Sequence, residues 1–82
     1  MRLLDLPVAS VARVLALQLD ESEARRVRAV GVVEDEAITV LRRAPFGGPL
    51  HVRMSSGGEF ALDRRIAEAI EVAADEMPEA AE

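Results

Sequence analysis

Apolar and polar residues alternate most cleanly at Leu50, Val52 and Met54, which are separated by His51 and Arg53. A period of two places the apolar side chains on one face of a β-strand. Residues 36–43 read as a strand too, with Ile38 and Val40 on one face and Thr39 on the other. Val11–Leu17 is rich in β-formers and predicts a first strand. Glu59–Leu62 predicts a short one with Phe60 and Leu62 together, and Ala69–Val72 a last one. Between the first two strands the rhythm changes. Ala24, Val27 and Val30 recur at helical spacing. Asp20 followed three residues later by Glu23 has the form of a capping box, and Gly31 suits a left-handed C-cap. Asp63 can cap one further turn through Arg64–Ala67, and Leu3, Leu4 and Leu6 form an apolar lead that packs on the body.

Five short strands, turn signals every 8–12 residues and one inserted α-helix predict a mostly β fold, a small closed barrel. Closure removes the free edges of a short aliphatic sheet. The turn signals are the polar Glu34-Asp35, the loop Ala44–Pro49 and the run Ser55-Ser56-Gly57-Gly58. The period is lost from Ala73 on, which predicts a frayed end; residues 1–74 read as one domain and 75–82 as an acidic, disordered tail.

Composition narrows the chemistry. The 82 residues contain no Trp, Tyr or Cys, so the core must be Val, Leu, Ile and Ala, and thiolate chemistry is excluded. Residues 1–74 carry eleven acidic residues against ten arginines, a net charge near −1, so the acidity of the chain sits in its tail. No basic stripe suited to nucleic acid is evident. No apolar run approaches the roughly 20 residues of a membrane span. Asp5 interrupts the start where a signal peptide would stay apolar. The expectation is a soluble, cytoplasmic protein without membrane insertion.

Candidate site residues concentrate in two places. The loop after the second strand, Leu41-Arg42-Arg43-Ala44-Pro45-Phe46-Gly47-Gly48-Pro49-Leu50, holds one of only two aromatic rings. Phe46 either folds back over the barrel mouth or stands out as an anchor on a stiff Pro/Gly loop; in the second reading Arg42, Arg43, Pro45, Phe46 and Gly47 form one contact patch. The helix carries Arg25, Arg26 and Arg28. They read as a solvated face, with Glu21 and Arg25 in i,i+4 register for an ion pair, or as a partner-binding cluster led by Arg25 and Arg26. His51 is the sole imidazole, on the outward phase of its strand. Transition-metal ions such as those of non-haem sites favour sets like two imidazoles and a carboxylate, so no metal or cofactor site is expected. Neither a cysteine nucleophile nor a phosphate loop nor a Ser-His-Asp set is present, so no enzyme is expected.

The blocks Arg25–Val32, Ile38–Leu50, Phe60–Leu62 and Ala67–Val72 resemble the FeoA family, ferrous iron transport accessory proteins. The resemblance covers about residues 3–72, and Arg42-Arg43-Ala44-Pro45-Phe46-Gly47 with Pro49 is its most specific part. The family often has Pro-Gly where Glu34-Asp35 stands, an acid at Gly48, and Arg and Glu at Asp63 and Ile66. The resemblance implies an SH3-like barrel and a non-enzymatic accessory protein. Its implied partner is a FeoB-type membrane iron transporter, contacted at the cytoplasmic G-protein domain. The same module resembles the C-terminal domain of iron-dependent repressors, which implies the alternative of a regulatory domain binding a peptide or itself. A direct metal carrier using His51 is a third reading. Short strands pairing edge to edge leave a homo-oligomer open.

Overall fold

A computed structural model describes residues 1–74. The acidic stretch 75–82, expected to be a tail, lies outside them. The order is a 3-10 turn (Leu3–Asp5), β1 (Val11–Leu17), α1 (Glu21–Val30), β2 (Ala37–Arg43), β3 (Leu50–Met54), β4 (Glu59–Leu62), α2 (Arg64–Glu68) and β5 (Ile70–Ala74). The strands form one antiparallel sheet in the order β4-β3-β2-β1-β5. The last strand runs through Ala74, because Ala73 and Ala74 pair with Arg13 and Ala12 of β1. The frayed end expected from Ala73 is corrected there: pairing holds residues that carry no hydrophobic period.

The alternation that predicts the strands also builds the core. Val14, Ile38, Val40, Leu50, Val52, Met54, Ile70 and Val72 are buried on one face of the curled sheet. Leu3, Leu6 and Ala67 fill its open side. Closure into a barrel is the expectation that fails. β4 and β5 are the two ends of the sheet and do not pair with each other. Instead α2 carries the chain from one to the other, and the N-terminal turn covers the gap. The N–H of Val72 donates to the carbonyl of Met1 at 2.7 Å, and Arg2 bridges Glu71 on the outer edge of β5. The fold is SH3-like with an open seam.

Both helices start as their sequences predict. The Asp20 carboxylate accepts from the N–H of Glu23 at 2.8 Å, and that of Asp63 from the N–H of Ile66 at 3.0 Å. Gly31 ends α1 at φ 119°, and a Cβ there would lie 3.1 Å from the ring of Phe60. Asp35 takes φ 72°, a conformation that glycine or a short Asx side chain accepts. Val30 is the exception on the α1 stripe: Ala24 and Val27 are buried, but Val30 is 51% exposed. No described helix is long and apolar enough to cross a membrane.

Candidate functional site

The β2–β3 hairpin positions the first group of candidate residues. Thr39, Val40 and Arg42 pair with Arg53, Val52 and His51, so the register slips at Leu41. This β-bulge matters because residues 40 and 42 would otherwise share a face, and Arg42 would point into the core. With the extra residue inserted, Arg42 lies beside His51 on the outer face, in a hollow of about 300 Å³ shared with Leu41, Glu59 and Ala61. Arg43 turns the other way and donates from Nη2 to the carbonyl of Leu6 at 2.6 Å. The two neighbouring arginines thus leave the hairpin on opposite sides. No carboxylate within 4 Å of either guanidinium is found among the described residues.

The hairpin ends in a tight turn. Ala44 N–H donates to Pro49 at 3.0 Å, and Gly48 N–H to Pro45 at 3.2 Å. Phe46 and Gly47, the two central residues, have φ of 60° and 72°. Positive φ at both positions is the type I′ signature, whose twist matches the strands it joins. Glycine adopts it freely, whereas a side-chain-bearing residue pays about 1–2 kcal/mol. Phe46 holds that conformation with its ring at 104% of reference exposure. The ring therefore does not cover the mouth of the sheet. Gly48 closes the turn by proximity: a Cβ there would sit 2.7 Å from that of Ala44. Arg64 at the start of α2 lies alongside, since a Cβ on Gly47 would be 3.9 Å from its Cδ and Nη1.

Arg25 and Arg26 lie elsewhere, on α1. The Glu21–Arg25 pair is absent: no ion pair within 4 Å joins them, and Arg25 and Arg26 have no carboxylate partner among the described residues. Arg26 lines a groove of about 420 Å³ between α1, β4 and α2, walled by Val27, Val30, Phe60, Leu62 and Ile66. Glu23 and Arg65 bond in two places across its rim, one of them at 3.2 Å. Glu23 therefore does not complete a reciprocal capping box; it ties α1 to α2. The hydrogen bonds that Arg65 donates to Glu23 raise the Arg65 pKa. At the other end of α1, Arg28 donates to Glu34 at 3.1 and 2.8 Å, which holds the Glu34 carboxyl down to about 2.

The acidic triplet 34–36 is dispersed. Glu34 takes Arg28, the carbonyl of Asp35 takes Arg13 at 2.9 Å, and Glu36 takes the Ser55 hydroxyl at 2.8 Å. Among the described residues no three His, Asp or Glu side chains gather into a set that could hold a metal ion. Sequence reasoning missed Arg64 and Arg65 as surface determinants. The Asp63 cap places them on one turn of helix, but only the tertiary fold brings that turn to the hairpin tip and to Glu23. Asp63 and Ile66, where the family often has charges, act as N-cap and as a half-buried apolar contact.

A small SH3-like domain with an apolar groove and a projecting hairpin is a class defined by its surfaces. A profile of the FeoA domain matches residues 1–74, so the chain belongs to the FeoA domain family. That family is one of small accessory domains and is not a known enzyme family. The chain is similar to the FeoA protein of Chlorobium tepidum at 30% identity and TM-score 0.81, covering 90% of this chain and 70% of that one. It is similar to Stenotrophomonas maltophilia FeoA, solved with zinc and described as an SH3 domain protein suggested to activate ferrous iron transport. There the identity is 32% and the TM-score 0.74, with 88% of each chain covered. A manganese-dependent transcriptional repressor shares the fold at 25% identity and TM-score 0.84, over 92% of this chain and 36% of that one. Comparison with curated proteins finds no match.

Proposed function

We propose that this protein is a non-enzymatic cytoplasmic accessory factor for Fe(II) uptake that acts by protein contact with a FeoB-type GTPase transporter. The observation that carries the contact is the α1–β4 groove. Its walls are apolar, Val30 stands half exposed at its lip, and Arg26 faces it without a carboxylate partner among the described residues. β4 is a sheet end, and its pairing with β3 leaves the main-chain groups of Glu59 and Ala61 directed outward. An extended segment can add there as a further strand and place side chains in the groove. Arg25 and Arg26 then meet acidic residues of the partner. The hairpin residues Arg42, Arg43, Pro45, Phe46 and Gly47 form a second contact surface, beside the groove and separated from it by α2.

Pull-down against the purified G-protein domain of the transporter tests this reading. Arg26→Glu and Val30→Asp are expected to weaken capture about tenfold. Phe46→Ala and Arg43→Ala, run in parallel, report whether the hairpin adds to it. Capture equal to the parent chain in all four variants removes both surfaces from the contact.

The free edge of β4 and the likeness to the repressor domain also favour a second reading, a regulatory module that binds a peptide or a second copy of itself. Concentration-dependent dimerisation abolished by Val30→Asp, with no capture of the transporter domain, would select it.

A further inference from the structure

Charge is segregated along this chain. Residues 37–58, which comprise β2, the tip and β3, contain no Asp or Glu, and they hold Arg42, Arg43, Arg53 and His51. All eleven acidic residues of the segment 1–74 lie outside that stretch. Arg53 sits 3.6 Å from Glu59, at the end of β3 away from the tip. Arg42, Arg43 and Arg64 remain near the tip with no carboxylate within 4 Å among the described residues. The tip itself, Ala44–Pro49, is uncharged and carries the fully exposed Phe46.

The geometry separates two kinds of partner. Arg42 and Arg43 leave opposite faces of the hairpin, so a flat protein surface laid against one face meets one of them. A surface approached end-on meets Arg42 and, beside Gly47, Arg64, while Arg43 is held back by its hydrogen bond to the Leu6 carbonyl. At the tip only the N–H groups of Phe46 and Gly47 lack a backbone partner. Pro45 and Pro49 have no N–H, and those of Ala44 and Gly48 are bonded within the turn. Taken alone, one ring on a six-residue tip is small against the roughly 800 Å² that each partner contributes to a specific protein interface, so as a protein contact the tip only adds to the groove. Phe is, however, among the apolar side chains that peripheral elements bury at the headgroup–acyl boundary, and nearby arginines are attracted to anionic headgroups.

We propose that the β2–β3 tip docks end-on to an anionic lipid surface, with Phe46 in the interfacial layer and Arg42 and Arg64 at the headgroups. This is peripheral docking, which needs no membrane span. It is independent of the groove contact, and the tip alone binds weakly: each arginine contributes about a fivefold change in partition and the ring about tenfold.

The test uses the full chain and vesicles without protein. It is sedimented at low salt with phosphatidylglycerol–phosphatidylcholine vesicles and with phosphatidylcholine vesicles alone. Binding is expected to the anionic vesicles, to weaken as salt rises, and to fall about tenfold in Phe46→Gly and about fivefold in Arg42→Gln. Glycine accepts the backbone angles of position 46, so that loss is not misfolding. Arg25→Gln on α1 is expected to bind as the parent does. Since the chain has no Trp, Phe46→Trp provides a sole reporter whose emission is expected to shift to the blue on anionic vesicles. Absence of partition at low salt, equal partition of Phe46→Gly, an equal loss in Arg25→Gln, or an unshifted Phe46→Trp emission each overturns the proposal.

Discussion

The hairpin tip and the α1–β4 face both present arginines and exposed apolar side chains, yet they are built in opposite ways. Around α1, Arg28 and Arg65 are each held by two hydrogen bonds to a carboxylate, Glu34 and Glu23. Those pairs fix the ends of the helix against its neighbours, while Arg25 and Arg26 between them have no carboxylate partner among the described residues. Around the tip no arginine has such a partner among the described residues, and the one aromatic ring is held clear of the body on strained backbone. The lesson is that an arginine-rich sequence divides into charges spent on the fold and charges left available. Counting them does not separate the two classes; the carboxylates that fold beside them do.

The comparison breaks most severely at the root of the hairpin. Leu50 is 2% exposed and pairs with both Arg43 and Leu62. Leu50→Ala is expected to destabilise by about 2–5 kcal/mol, enough to unfold a domain this small, as read by urea denaturation. On the groove side, Gly31→Ala forces a side chain onto φ 119° and toward Phe60. A loss of about 1–3 kcal/mol is expected in the same assay, and groove-dependent capture of the transporter domain falls with it.

At the tip the sign reverses. Phe46→Gly relieves the left-handed strain, about 1–2 kcal/mol, against the extra freedom glycine gives the unfolded chain, about 0.5–1. A gain of between about 0 and 1.5 kcal/mol is expected in the unfolding free energy read by urea denaturation. Substitution of an exposed residue that stabilises marks a position not chosen for stability.

The smallest effect concerns pH. Hydrogen bonds from Arg28 lower the folded-state pKa of Glu34 to about 2. Its contribution is present above the usual carboxylate range and is lost as pH falls from that range toward 2. The group is exposed, so solvent screens the pair and the effect is small. Glu34→Gln is expected to lower stability slightly near neutrality, to flatten the acid limb of the profile and to leave stability unchanged near pH 2.

Much of this was legible before any coordinates. The two-residue period of Leu50–Met54 and the Asp20 and Gly31 caps fix β3 and α1, because those signals are local and their competitors are weak. The family block around Arg42–Pro49 marks the hairpin. What could not be read is tertiary or arises from pairing. The bulge at Leu41 depends on the partner strand, and it decides where Arg42 and Arg43 point. The Glu23–Arg65 tie joins residues 42 positions apart. A pattern of strands counts them but does not say whether the ends of the sheet meet, so an open seam read as a closed barrel.

The central claim is that the tip retains strain in exchange for contact. The most direct test follows Phe46→Gly through thermal denaturation and anionic-vesicle sedimentation in parallel with the parent chain. The account predicts a melting temperature equal to or above that of the parent, together with about tenfold weaker vesicle binding. A variant that melts lower, or that binds the vesicles as the parent does, contradicts it.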